Sequence, residues 1–121
     1  MLRIGVDLMD VGRVAQAIER YGDRFYARFF TESERRECEG QAQRLAARFA
    51  AKEATAKALG TGIGDVGWLE IEVMCDERGR PCLRLHGNAA RLAAEMGLKT
   101  WEVSLSHTKD QAVAFVVAMG D

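Results

Sequence analysis

Two charged residues near the middle of the chain, Glu53 and Lys57, have the spacing of neighbours on one helix face. They end a stripe that is otherwise apolar and that includes Ala46, Phe49 and Ala50. A carboxylate buried among apolar residues needs a charged or hydrogen-bonding partner, because desolvation of an unpaired charge is costly. Two interpretations stay open: an ordinary i, i+4 ion pair on a solvated face, or part of a binding site.

A glycine-dense segment, Gly60-Thr61-Gly62-Ile63-Gly64, follows this predicted helix directly. Glycine lets backbone N–H groups approach the oxygens of a phosphate closely, which favours a phosphate-binding role. The segment lacks the terminal Gly-Lys-Ser/Thr of a Walker A loop, so it does not identify a nucleotide site by itself.

Asp7 is a third chemically informative residue. It lies in a predicted strand in which Ile4, Val6 and Leu8 face one side and Asp7 faces the other. Its carboxylate could serve a ligand cleft at the end of the strand, or it could cap the following helix. Together with Glu53 it would suit a magnesium–pyrophosphate site, since Mg²⁺ takes few carboxylates, several waters and phosphate oxygens.

Basic residues are concentrated in the first helical region, where they are interleaved with apolar ones: Arg13, Arg20, Arg24, Arg28, Ile18, Phe25 and Phe29. This surface could dock an acidic protein, or it could be a solvated face that also carries Glu19 and Asp23. Three basic residues precede Glu53 on the long helix and could bind further phosphates or face solvent: Arg44, Arg48 and Lys52. His107 follows Ser106 in a predicted strand, where neighbouring side chains face opposite sides, so a Ser-His-Asp triad is not indicated.

Composition limits the classes of protein. The length of 121 residues, with 48% hydrophobic and 29% charged residues, predicts one globular domain spanning 1–121. The formal net charge of -1 argues against nucleic-acid binding through a bulk basic field. We expect no signal peptide and no membrane span. Three cysteines without Cys-X-X-Cys spacing favour a reducing compartment.

The caps and glycines predict the elements that must position these side chains. Asp10 begins a helix that stops at Gly22, and Thr31 with Glu34 forms a capping box for another. Strands are predicted over 2–8, 68–75, 82–86, 101–106 and 111–119, and Asn88 is predicted to cap a late helix. This order predicts an α+β fold, with a mostly antiparallel sheet packed on the long alanine-rich helix.

The chain resembles the holo-[acyl-carrier-protein] synthase family, the small bacterial-type 4'-phosphopantetheinyl transferases. Four segments carry the resemblance: IGVDLMDVGRV, FTESE, RFAAKEATAKALGTGIG and SLSHTKDQAVAFVVA. The resemblance implies transfer of 4'-phosphopantetheine from coenzyme A to a serine of apo acyl carrier protein, with release of adenosine 3',5'-bisphosphate. It further implies a cytoplasmic enzyme of fatty acid biosynthesis that assembles as a homotrimer, with its active site between subunits.

The same resemblance assigns roles to individual residues. Asp7 and Glu53 would bind Mg²⁺, and Lys57 would lie near the transferred phosphate. The serine proton would pass to Glu53 or to water on the metal, an alternative that stays open. Residues near coenzyme A would be Arg48, Gly60, Thr61, Gly62 and His107, and those facing the carrier protein would be Arg13, Ile18, Arg24 and Phe25. Ala56 stands where many relatives have serine.

Two other functions stay open at this stage. The chain could hold coenzyme A or a carrier protein without catalysing a reaction. It could also be a different Mg²⁺-dependent nucleotide enzyme, such as a pyrophosphohydrolase that uses the same carboxylates.

Overall fold

Two antiparallel sheets and five α-helices make up the computed structural model, which describes residues 1–120. The last residue of the predicted 1–121 domain therefore lies outside the described part. The larger sheet has the strand order β1-β5-β4, formed by Leu2–Asp10, Gln111–Gly120 and Leu98–His107. Strands β2 (Ile71–Cys75) and β3 (Pro81–Leu85) form a separate hairpin. The predicted α+β fold is confirmed.

The five helices differ in length, and the longest of them packs on the larger sheet. They are α1 (Val11–Tyr21), α2 (Asp23–Phe29), α3 (Glu32–Cys38), α4 (Ala42–Ala58) and α5 (Gly87–Glu95). The longest, α4, packs across β1 and β5, as the sequence predicts. None of these helices, nor any other helix within residues 1–120, is long and apolar enough to span a bilayer.

Local capping works as predicted at two helices. The Asp10 carboxylate accepts a hydrogen bond from the Arg13 N–H at 3.2 Å and begins α1. Thr31 and Glu34 form the reciprocal capping box of α3, with distances of 3.2 Å and 2.9 Å. Both contacts join residues three positions apart, so they depend on local sequence alone.

The contact between β1 and α4 requires a glycine. A Cβ built on Gly5 would overlap the carbonyl oxygen of Ala54, so only a residue without a side chain allows this approach. Four small residues of α4 are fully buried here: Ala50, Ala51, Ala54 and Ala58. Because Gly5 and Asp7 lie on the same side of the strand, this close packing brings the Asp7 carboxylate toward α4.

The opposite side of the sheet is apolar and open to solvent. Ile4, Val6 and Leu8 of β1 are 60%, 52% and 64% exposed, and their neighbours Phe115 and Met119 on β5 are also exposed. The alternation in β1 is therefore confirmed. The glycine-containing side, rather than the apolar side, is the one that α4 covers.

Two predictions on the hairpin region are wrong. Trp68–Glu70 forms a short 3-10 helix, and the strand begins only at Ile71. Asn88 does not cap α5; His86 holds that position, and the Asn88 N–H donates to Glu70 Oε2 at 2.7 Å. The second oxygen of Glu70 accepts from the Gly67 N–H at 2.6 Å. A carboxylate distant in sequence thus replaces the local cap.

Candidate active site

A cleft of about 660 Å³ lies where the end of β1 meets α1, α2 and α4. Its wall is rich in charged and aromatic side chains, contributed by Asp7, Asp10, Glu53, Arg13, Arg24, Arg28, Tyr21, Phe25, Phe29 and Phe49. Acidic groups come from β1 and α4, whereas the arginines come from α1 and α2. The cleft therefore has an acidic side and a basic side that face the same space.

Lys57 links α4 to the strand that carries Asp7. Its Nζ donates to Asp7 Oδ1 and to the carbonyl oxygen of Val6, each at 3.0 Å. The Asp7 side chain is 14% exposed, and that of Lys57 is 54% exposed. These contacts decide two open questions: Lys57 forms its ion pair with Asp7 rather than with Glu53, and Asp10 rather than Asp7 caps α1.

Glu53 lies next to Asp7, so two carboxyl groups share one end of the cleft. Burial raises the pKa of Glu53, and the charge of Asp7 and a hydrogen bond with Asp7 raise it further. The positive charges of Lys57 and Arg13 offset part of this effect. Two carboxyl groups this close repel each other when both are ionised, and either a shared proton or a cation relieves that repulsion.

This pair fits the preferences of Mg²⁺. Residues 1–120 contain no cluster of three or more His, Cys, Asp or Glu side chains that could enclose a metal ion. Asp7 and Glu53 would accordingly supply two carboxylate oxygens and leave the other positions to water and phosphate. Such an incomplete protein shell is typical of Mg²⁺ sites that act on phosphate substrates.

The residues predicted to face a carrier protein divide into two groups. Arg13, Arg24 and Phe25 line the cleft, whereas Ile18 packs against the core that α1 shares with α4. The Phe25 ring is buried, and its centroid lies 5.1 Å from that of Phe29. Phe25 is therefore part of the cleft wall and is not exposed for contact with another protein. Whether these residues bind a carrier protein stays a prediction.

The cleft wall also includes Tyr21, Arg28 and Phe49, to which the family resemblance assigned no role. Arg28 follows Arg24 by one helical turn, which is the spacing that places both on one face. The sequence therefore indicated Arg28 only as one of the basic residues of a possible docking surface. Tyr21 and Phe49 carried no comparable signal, since an aromatic residue on an apolar stripe is equally typical of a core.

Comparison with known proteins decides the family. The model of the 4'-phosphopantetheinyl transferase superfamily named ACPS matches residues 3–116. The chain belongs to this superfamily. A holo-[acyl-carrier-protein] synthase of Herpetosiphon aurantiacus is 54% identical over 99% of this chain and 100% of its own. A holo-[acyl-carrier-protein] synthase of Koribacter versatilis is 46% identical over 97% of each chain.

Solved structures give the same result. The holo-[acyl-carrier-protein] synthase of Helicobacter pylori in complex with coenzyme A has a TM-score of 0.88 at 29% identity, over 96% of this chain and 99% of that one. The enzyme from Neisseria meningitidis has a TM-score of 0.87 at 35% identity, over 97% of each chain. This chain is therefore an enzyme, a phosphopantetheinyl transferase.

The glycine segment of this transferase is a helix end rather than an open cradle. The N–H of Gly60 donates to the Lys57 carbonyl at 2.9 Å, and those of Thr61 and Gly62 each donate to the Ala56 carbonyl at 3.3 Å. Gly60 and Gly62 have φ values of 79° and 75°, which glycine adopts without strain. The predicted role of Gly60, Thr61 and Gly62 beside coenzyme A stays a prediction. Because the N–H groups of these three residues are engaged, a phosphate beside them would have to accept hydrogen bonds from side chains.

Arg48 and Lys52 of the transferase neither line the cleft nor face solvent. Arg48 donates to Glu37 Oε1 at 2.9 Å, to the Val73 carbonyl at 3.3 Å and to Cys38 Sγ at 3.0 Å. These bonds join α4, α3 and β2. The predicted contact of Arg48 with coenzyme A stays a prediction, and it would require the guanidinium to exchange some of these partners.

Lys52 forms a fully buried ion pair with Glu34 at 2.7 Å, and it also donates to the carbonyls of Trp68 and Ile71. Burial lowers the pKa of Lys52, and the adjacent Glu34 charge opposes that effect. Glu34 in turn accepts from the N–H groups of Thr31 and Val73. The pair thus ties α4 to α3 and to the hairpin, next to Glu53.

His107 lies at the end of β4, exposed and paired with Ala112 of β5. It does not line the cleft. Its predicted place in the nucleotide region stays a prediction.

Proposed function

We propose that this transferase moves the 4'-phosphopantetheine group of coenzyme A to a serine hydroxyl of an apo acyl carrier protein. The reaction would depend on Mg²⁺ and release adenosine 3',5'-bisphosphate. One observation carries the proposal: Asp7 and Glu53, from two distant segments, line one end of a cleft, and Lys57 binds Asp7 there. The coenzyme A complex of the Helicobacter pylori relative supports coenzyme A as the donor substrate.

Asp7 and Glu53 would hold the Mg²⁺ ion, which when bound supplies positive charge to the diphosphate oxygens of coenzyme A. Lys57, anchored by Asp7, places a second positive charge beside them. In the reaction the serine oxygen bonds to the phosphorus that carries phosphopantetheine, and the bond from that phosphorus to the leaving phosphate oxygen breaks. The serine proton passes to Glu53 or to water. Positioning and charge neutralisation supply most of the catalysis in phosphoryl transfer.

The basic side of the cleft would receive the carrier protein. Exposed Arg13, Arg24 and Arg28 line it, and carrier proteins of this class are acidic. Opposite charges on two surfaces speed their association and orient the partners. This arrangement would bring the carrier serine to the end of the cleft that holds Asp7 and Glu53.

The exposed apolar side of the sheet would be an interface between copies of the chain. Leu2 and Met119 are register partners on it, as are Val6 and Phe115, and all four are exposed. Soluble proteins seldom leave a contiguous patch of this kind open to water. Together with the family resemblance, this patch supports a homotrimer with its active site between subunits. The cytoplasmic location and the place in fatty acid biosynthesis rest on the resemblance alone. A second subunit would also be needed for residues outside this cleft, such as His107, to approach coenzyme A.

The decisive experiment incubates the protein with apo acyl carrier protein, coenzyme A and Mg²⁺ and measures the mass of the carrier. We expect a gain of one phosphopantetheine group on its serine. No gain in mass would overturn the proposal. Release of inorganic phosphate or AMP, with the carrier unmodified, would instead indicate a pyrophosphohydrolase, and binding of coenzyme A without any reaction would indicate a binding module.

A further inference from the structure

Arg3 lies on the side of β1 that faces α4. It shares that side with Gly5 and Asp7, because alternate residues of a strand face the same way. Its guanidinium extends over the end of α4: a Cβ built on Gly60 would lie 3.9 Å from Arg3 Nη1. Arg3 therefore places a positive charge directly beside the glycine segment.

Two carbonyls near the end of α4 already accept backbone N–H groups. The last carbonyls of α4, at Ala56 and Lys57, accept the N–H groups of Gly60, Thr61 and Gly62. Arg3 itself is exposed, and its side chain has no hydrogen bond or ion pair to any residue within 1–120. An arginine that served only to complete the helix end would donate to one of those carbonyls. This one is left available for an anion from outside the chain.

The glycine segment also needs a nearby cation if it is to bind a phosphate group. The N–H groups of Gly60, Thr61 and Gly62 are engaged with α4, so these backbone donors are not free for a ligand. Lys57 is engaged by Asp7 and the Val6 carbonyl. Arg3 is the exposed cation beside this segment whose five donors are all unengaged within the described chain.

The distance along β1 indicates which phosphate. Arg3 and Asp7 are four residues apart in an extended strand, which separates their Cα atoms by about 13 Å. A diphosphate held near Asp7, Glu53 and Lys57 would leave Arg3 to a separate phosphate group of the same ligand. A guanidinium binds the oxygens of a phosphate monoester in a bidentate manner.

We propose that Arg3 binds the 3'-phosphate of coenzyme A. This inference rests on the proposed function, since it takes coenzyme A as the substrate. It assigns to the start of β1 a specificity role: Arg3 distinguishes coenzyme A from dephospho-coenzyme A, which lacks the 3'-phosphate.

The test compares the wild-type protein with Arg3→Ala and Arg3→Lys, with Arg78→Ala as the control. Arg78 is an exposed arginine in the turn between β2 and β3, away from the cleft. We expect Arg3→Ala to raise the KM for coenzyme A about tenfold without lowering kcat. A change of this size corresponds to the loss of one hydrogen bond to a charged group. Arg3→Lys should recover part of the loss. With dephospho-coenzyme A, Arg3→Ala and wild type should have the same KM.

An unchanged KM for coenzyme A in Arg3→Ala would overturn the inference, and so would an equal rise with both substrates. Calorimetric binding of coenzyme A to the same variants, without carrier protein, gives a second readout that does not depend on turnover. If the wild-type protein binds coenzyme A but modifies no carrier, the proposed function fails, while the binding ratio between Arg3→Ala and wild type still decides the role of Arg3. If the wild-type protein does not bind coenzyme A, both proposals are wrong.

Discussion

Lys57 Nζ lies 3.0 Å from Asp7 Oδ1, although 50 positions separate the two residues along the chain. The contact joins the end of α4 to β1 at the point where Glu53 also faces Asp7. It also explains how a strand and a helix can present two carboxylates side by side, because the lysine charge compensates part of their repulsion.

Removing either carboxylate should abolish transfer without unfolding the protein. We expect Asp7→Asn and Glu53→Gln each to reduce the transfer rate by at least about a hundredfold, because electrostatic stabilisation of a reacting phosphate is lost. Mg²⁺ should raise the Tm of the wild-type protein and leave that of either variant unchanged. Glu77→Gln, in the exposed turn after β2, is the matched control. Full activity in both variants would show that the metal assignment is wrong.

Reversing a charge on the basic side of the cleft should weaken binding of the carrier protein. We expect Arg24→Glu to raise the KM for the carrier about tenfold at low salt and to leave the KM for coenzyme A unchanged. The difference should shrink as salt rises, since the Debye length falls to about 3 Å at 1 M. Arg78→Glu changes net charge equally but lies outside the cleft. A loss that does not depend on salt would contradict the docking role.

A charge on the open side of the sheet should break the assembly. Val6→Glu places a carboxylate opposite Phe115, where an apolar interface would have to bury it unpaired. Light scattering should report a trimer for the wild-type protein and a monomer for the variant. Leu69→Glu, an exposed apolar residue outside the larger sheet, should leave the mass unchanged. A monomeric, fully active wild-type protein would rule out the predicted interface.

The buried pair of Lys52 and Glu34 should be a large contributor to stability. We expect Lys52→Met to lower the free energy of unfolding by about 3–5 kcal/mol, because Glu34 is left buried without its counter-charge. Arg36→Met breaks an exposed pair with Glu32 and should cost less than about 1 kcal/mol.

The double variant Glu34→Gln with Lys52→Met should recover part of the loss, since glutamine is neutral and its carbonyl oxygen can keep one of the two backbone hydrogen bonds that Glu34 accepts. Urea unfolding measures all three variants. Equal stability of Lys52→Met and wild type would show that the pair is energetically neutral.

Sequence alone predicted the elements whose signals are local. Asp10, Thr31 and Glu34 each act on a backbone N–H three positions away, so their capping roles do not depend on the rest of the fold. Asn88 shows where this reasoning fails. Its local pattern indicates a cap, but Glu70, brought there by tertiary contacts, binds that helix start instead.

The types and spacing of the residues in the chain determined most of the secondary structure, the α+β class and the choice of Asp7, Glu53 and Lys57 as candidate chemical groups. Tertiary structure decided their partners: Lys57 binds Asp7, while Arg48 and Lys52 turn into the protein interior. It also decided that the side of β1 with Gly5, rather than the side with Val6, meets α4. The reason is that hydrophobic alternation identifies two sides of a strand, whereas only the fit of backbone against backbone selects the one that a helix can approach.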